Sequence, residues 1–161
     1  MIVDFNKLSD NARVWIYPSN RSFYKEELGP LRRALTQFLS EWTAHNKDLE
    51  ASFDIPYKHF IVIGVNQIKS QVTGCSIDSS VRFIQELEKQ FDIILLEKMN
   101  VIFKEGENLT YVKLDQFIKM AKSKLVSDQT VVFNNLVNNI FDYKENWEIP
   151  LIDSWHNRLI K

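Results

Sequence analysis

The residues best suited to chemistry lie in the segment Gly74-Cys75-Ser76-Ile77-Asp78, which opens a stretch with helical periodicity. A cysteine at a helix N-terminus feels the positive end of the helix dipole, which favours the nucleophilic thiolate. A histidine brought beside it would complete a Cys-His pair, and the candidates are His45, His59 and His156. The alternative is a purely structural role, in which Cys75 is a small buried residue that packs next to a serine N-cap. Cys75, His45 and His156 are therefore candidate catalytic residues.

The same helix start is also a candidate ligand site. Ser76 is expected to cap the helix, and its hydroxyl, the free N–H groups and the side chain of Arg82 are donors for an anion. Asp78 is expected in the first turn, where its carboxylate already occupies the positive field and pairs with Arg82 four residues later. Ser76, Asp78 and Arg82 are predicted to bind a ligand, with the Asp78 carboxylate arguing against an anionic one.

A second group of polar residues follows the first predicted strand, where Pro18-Ser19 begins a turn. Asn20 and Arg21 are expected to be exposed there and are predicted to bind a ligand. They would line a cleft if the fold brings them to Trp42, His45, Trp155 and His156. His59 alternates with Ile61 and Ile63 along an apolar strand, which is typical of a structural histidine.

Hydrophobic periodicity predicts the elements that must position these residues. Strands are predicted at 13–17, 51–57, 59–66, 100–104 and 109–113, and helices over 22–42 and 76–91. The order strand, helix, strand, strand, helix, strand is the split β-α-β pattern of ferredoxin-like domains. The sequence therefore predicts an α+β fold, with a ferredoxin-like antiparallel sheet, an added strand and C-terminal helices, in one domain spanning residues 1–161.

Three details of this prediction have alternatives. Gly29-Pro30 either kinks the first helix or starts it again, because proline clashes with the preceding turn. Pro56 places the 51–57 strand at a sheet edge, and an exposed edge there would favour a homodimer over a monomer. Residues 130–133 form either a strand or part of a helix, because short apolar runs are ambiguous.

Composition narrows the class of protein. The formal net charge of −1 gives no electrostatic footprint for nucleic acid. The single cysteine excludes an intrachain disulfide, the N-terminus does not resemble a signal peptide, and no apolar run reaches the length of a membrane span. These features predict a cytoplasmic protein. No zinc-ligand spacing, P-loop or G-x-S-x-G motif occurs, so we expect neither a metal nor another cofactor.

Several segments resemble a family of small proteins from Bacteroidetes-type bacteria. They span nearly the whole chain and are VWIYPSNRSF, EWTAHN, GCSIDSSVRFIQELEKQF, VVFNNLV and SWHNRLI. Members of that family often carry the label "ABC transporter ATPase". This sequence has neither a Walker A lysine motif nor an LSGGQ-type signature, so the resemblance implies an origin and assigns no catalytic residue.

The sequence is most consistent with a binding or interaction module whose partner is a small molecule or a protein. The alternative is a small thiol-dependent enzyme that uses Cys75. A role in ABC transport rests on the label of the resembling family alone.

Overall fold

The computed structural model describes residues 1–67 and 71–160 and shows an α+β protein with antiparallel sheets. The helices are α1 (Lys25–Glu41), α2 (Gly74–Phe91), α3 (Leu114–Lys122) and α4 (Ile140–Asn146). The strands are β1 (Arg13–Pro18), β2 (Thr43–Ala44), β3 (Lys47–Asp48), β4 (Glu50–Asp54), β5 (Phe60–Asn66), β6 (Val101–Glu105), β7 (Asn108–Val112), β8 (Val131–Phe133) and β9 (Glu148–Pro150).

The first sheet is built around β5, in the order β1-β5-β4. Side chains alternate along β5, so that Ile61 and Ile63 face one way while Phe60 and Val62 face the other, and all four are buried. A strand covered on both faces needs apolar residues at nearly every position. The predicted buried strand at 59–66 is thus confirmed as the central strand of this sheet.

The second sheet has the order β7-β6-β8-β9. The ferredoxin-like arrangement is not confirmed, because the strand predicted at 100–104 pairs here with β7 and β8 instead of joining β1. As a result β1 lies at the edge of its own sheet, where a central position was expected. The ambiguous segment at 130–133 is a strand, β8, whose Val132 lies opposite Phe103.

Three apolar clusters show how the layers stack. The first packs α1 and α2 on the Ile61–Ile63 face of the first sheet. The second joins the opposite face to the second sheet through Val62, Ile102 and Phe133. The third packs α3 on the outer face of the second sheet. The order of layers is therefore helices, sheet, sheet, helix.

Two local details bear on the sequence expectations: α1 does not start again at Pro30, and the edge of the 51–57 strand is not exposed. Helix α1 runs without interruption through Pro30, and the residue at its N-cap position is Tyr24, whose backbone N–H donates to Glu27 at 2.7 Å. Strand β4 ends at Asp54, and its outer edge is covered by the chain start: Val3 donates to the Ala51 carbonyl at 2.9 Å. The exposed edge expected at 51–57 is therefore occupied by residues 1–3.

None of the helices in the described residues combines the length and the apolar character that crossing a membrane requires.

Gly64 allows the side chain of Leu8 to approach the central strand β5 closely. A Cβ atom added there would lie 2.5 Å from Leu8 Cδ1, inside a buried cluster. We expect Gly64→Ala to lower the free energy of unfolding by about 1–3 kcal/mol, the usual cost of overpacking a core. Urea denaturation measures the change.

The matched control is Gly74→Ala, because an added Cβ at Gly74 has nothing within 4 Å. Combining Gly64→Ala with Leu8→Ala should cost less than the two separate losses added together, since the smaller residue 8 makes room for the new methyl. Wild-type stability for Gly64→Ala, or strict additivity of the pair, would contradict this account of the contact.

Candidate binding groove at the start of helix α2

Helix α2 begins one turn earlier than its serines suggest. Thr73 is the N-cap residue, and its hydroxyl accepts from the Ser76 N–H at 3.2 Å while the Ser76 hydroxyl accepts from the Thr73 N–H at 2.7 Å. This reciprocal pair is a capping box. Ser76 is therefore the third residue of the helix, where it was expected to be the cap, and Cys75 is the second.

Trp42 attaches the end of α1 to this helix start. Its indole Nε1 donates to the Ser76 carbonyl at 2.9 Å, and both residues are buried. The Ser79 hydroxyl donates to the same carbonyl at 2.9 Å. The ring of Phe38 lies 5.6 Å from that of Trp42, so that two aromatic side chains form an apolar wall beside the first turn of α2.

The short hairpin of β2 and β3 stands next to this wall. Its two turn residues, His45 and Asn46, have φ values of 51° and 61°. Two consecutive left-handed residues are typical of a type I′ turn, which strongly favours Asn-Gly. Histidine is one of the residues that are enriched in the left-handed region, and here its side chain is exposed at the tip of the hairpin.

These elements enclose one groove of about 720 Å³. Both Cys75, which is exposed, and His45 line it. The rest of the lining consists of Phe38, Glu41, Trp42, Thr43, Asn46, Thr73, Gly74, Ser76 and Ser79. The N–H groups of Gly74 and Cys75 have no acceptor within the described residues, because they belong to the first turn of α2. We call this lined space the α2 groove.

The other residues predicted at this helix do not enter the groove. Asp78 and Arg82 are exposed on α2, and within the described residues they form no ion pair with each other. The first turn of α2 contains no acidic side chain, since the helix begins at Gly74 and Asp78 is its fifth residue. The carboxylate that argued against an anionic ligand is therefore outside the first turn.

His156 lies elsewhere in the fold. Its Nδ1 is 2.6 Å from the Ser154 hydroxyl, and its ring stacks on Trp155 with a centroid distance of 3.9 Å. It also contacts the buried Phe117 of α3. The structure thus places His45 in the same groove as Cys75, and places His156 beside α3.

Arg21 is held by groups of the protein itself. Its guanidinium forms a two-pronged pair with Glu27 at 2.8 and 3.0 Å and donates to the Phe91 carbonyl at 2.7 Å. The hydrogen bond from Arg21 lowers the pKa of Glu27. These contacts tie the start of α1 to the end of α2, a structural role that the sequence did not indicate.

Asn20 is likewise engaged, since its side-chain oxygen accepts from the Ile94 N–H at 2.9 Å. Asn20 and Arg21 do line a groove of about 600 Å³, together with Tyr57 and His59. Trp42 and His45 line the α2 groove instead, and Trp155 lines a third space, so the single cleft considered from the sequence is not formed.

Within the described residues, no three His, Cys, Asp or Glu side chains converge as a metal site would require. Comparison with protein-family models, with curated proteins and with solved structures finds no match. The case for the α2 groove as a candidate binding site therefore depends on its geometry alone.

The two buried histidines make stability depend on pH. Burial lowers the pKa of both His59 and His156 to about 4, against 6.5 in an unfolded chain. The unfolded state therefore takes up protons first, so stability is complete above pH 6.5 and falls as the pH drops toward 4. We expect a loss of about 2 kcal/mol per histidine between pH 7 and pH 5.

Urea denaturation of wild type and His59→Gln at several pH values measures this loss. The His59 Nε2 donates to the Ser19 carbonyl at 3.0 Å, and a glutamine amide can replace that bond without titrating. The variant should show a shallower dependence on pH across this window. An unchanged slope would show that His59 is protonated equally in both states.

Proposed function

We propose that this protein is a binding module and that the α2 groove is its ligand site. The observation that carries the proposal is the convergence of unused hydrogen-bonding groups on one open groove. Cys75, His45 and Gly74 line the same space, beside the apolar wall of Phe38 and Trp42, and the N–H groups of Gly74 and Cys75 have no acceptor within the described residues. Ligand sites commonly combine an apolar wall with a few convergent polar groups.

The groups in the groove define the class of ligand. The free N–H groups at a helix N-terminus favour an acceptor such as a carboxylate, carbonyl or phosphate. The wall of Phe38 and Trp42 favours an apolar portion within reach of that acceptor. A small molecule or a short peptide segment that carries both features fits these requirements.

The hairpin turn places the exposed side chain of His45 in the lining of the α2 groove. Catalysis by a Cys-His pair requires a group that orients the histidine ring. Within the described residues, no hydrogen bond orients the ring of His45. The arrangement therefore favours binding over catalysis.

A second candidate function is thiol chemistry at Cys75. One observation favours it: the exposed thiol and His45 line the same groove. Ligand binding could then bring the imidazole to the sulfur, since catalytic hydrogen bonds often tighten only in the complex.

We also propose a cytoplasmic location and a monomeric or homodimeric state, with a small molecule or a protein as partner. The single cysteine supports the location, because an exposed thiol that cannot form an intrachain disulfide suits a reducing compartment.

Blocking the groove tests the binding proposal. N-ethylmaleimide attached to Cys75 would place a bulky group in the α2 groove, so compounds that bind there should lose their signal. Ligand-observed NMR with a library of small carboxylates and phosphate esters measures binding to the modified and unmodified proteins. We expect bound compounds to weaken by about 10-fold or more on modification, as displacement from one site requires.

The control is a variant in which N-ethylmaleimide is attached to the exposed side of α2. In Cys75→Ser combined with Asp78→Cys, the label is attached outside the groove, and binding should persist. Absence of any binder, or equal losses in the two labelled proteins, would overturn the groove as the ligand site.

The thiol candidate predicts that His45 accelerates alkylation of Cys75. The native protein should react with iodoacetamide well below pH 8, and His45→Asn should slow the reaction by about 10-fold, because the nearby imidazole is lost. Asparagine suits the left-handed turn position, so the hairpin is retained. Equal rates for wild type and variant across pH 6–8 would remove thiol catalysis and leave the binding module.

A further inference from the structure

The edge strand β1 carries a row of aromatic and basic side chains on its helix-facing side. Arg13, Trp15 and Tyr17 alternate with buried apolar residues and therefore lie on one face. The Arg13 guanidinium lies 4.7 Å from the Trp15 ring centroid. The ammonium of Lys98, from the segment that follows α2, lies 4.8 Å from the Tyr17 ring centroid. Two cations thus cover two neighbouring rings of one strand.

Neither cation has an acidic partner within the described residues. The ion pairs formed there join Arg21 to Glu27, Lys104 to Glu148 and Lys144 to Asp10. Lys98 is half-buried, and burial lowers the pKa of its amine, with a further contribution from repulsion by Arg13. Two like charges over neighbouring rings of one strand, one of them half-buried, are unfavourable without a counter-charge.

The rings compensate for only part of this cost. A cation over an aromatic ring gains about 0.5–2 kcal/mol, and the ring leaves the positive charge in place. An oxyanion would neutralise both groups. The planar fork of Arg13 suits two oxygens of a carboxylate or phosphate, and the Lys98 ammonium adds a point charge.

Arg13 also extends into an open groove of about 590 Å³. The amide residues Asn11, Gln67, Asn138 and Asn139 line it, next to the exposed ring of Phe141. Asp10 also lines it, and its carboxylate lies 3.9 Å from the Lys144 ammonium. Amides donate and accept hydrogen bonds, so a polar ligand body attached to the oxyanion has both space and partners there. This groove shares no lining residue with the α2 groove.

We propose that Arg13 and Lys98 form a second binding site, which holds the phosphate or carboxylate of a small polar ligand at the edge of β1. The oxyanion lies between the two cations, and the body of the ligand occupies the amide-lined groove beside Arg13. Phosphate and carboxylate ligands share this recognition chemistry, and titrations with each anion distinguish them.

Calorimetric titration with inorganic phosphate and, separately, with citrate tests the site. Arg13→Gln and Lys98→Met each remove one charge while keeping most of the side-chain stem. We expect each variant to bind the preferred anion about 10-fold more weakly than wild type, as loss of a charge-assisted contact predicts. The matched control is Arg82→Gln, which removes the same charge from the exposed side of α2 and should change the affinity by less than about 2-fold.

Stability provides a second readout that a purely structural role would not produce. Without added anion, Lys98→Met should melt at a higher temperature than wild type, because it removes an unpaired half-buried charge. Added anion should raise the melting temperature of wild type, and it should raise that of Lys98→Met by less, because the variant binds the anion more weakly.

Wild type that binds neither anion, or affinity lost equally in Arg82→Gln, would overturn the proposal. Binding of citrate without phosphate would assign the site to a carboxylate ligand, and the reverse to a phosphate ester. Protein that is modified at Cys75 should still bind the anion at Arg13 and Lys98. Failure of the proposed α2 groove can therefore be distinguished from failure of this second site.

Discussion

Burial of both faces of β5 is the constraint on which the architecture depends. Ile61 and Ile63 require a cover on one side, and Phe60 and Val62 require one on the other. Two helices supply the first cover and a second sheet supplies the opposite one, which makes three layers, and α3 on the outer face of the second sheet adds the fourth. The strand also has no room for a larger residue at Gly64, since an added Cβ would lie 2.5 Å from Leu8 Cδ1.

The α2 groove follows from that packing. Helices α1 and α2 share one face of the first sheet, so the end of the former meets the beginning of the latter. The hydrogen bond from Trp42 to the Ser76 carbonyl closes this junction on its buried side. On the outer side the first-turn N–H groups of Gly74 and Cys75 stay open, because the capping box satisfies other groups. The opening is a consequence of how two helices are joined.

Local patterns in the sequence were sufficient to predict β5, the β1 strand and the body of α2, since each is encoded by its own periodicity. The pairing of strands was not predictable in this way. Val101-Ile102-Phe103 is apolar throughout, which indicates burial on both faces but does not identify the neighbouring strand. The same limit applies to the helix start, where Thr73 and Ser76 are both capable caps and burial against Trp42 decides between them.

Long-range contacts also decide which polar residues are available. Arg21 was expected to be exposed, because one of its partners, the backbone carbonyl of Phe91, lies seventy positions away along the chain. The sequence did not indicate Lys98 as a candidate binding residue, since its role depends on its position over the Tyr17 ring. Trp15 then connects the two candidate sites, for it lies under Arg13 and packs edge-on against Trp42. A change at Trp15 would disturb both grooves together with the core. Only substitutions of the exposed or half-buried residues around each groove can therefore distinguish the role of one groove from that of the other.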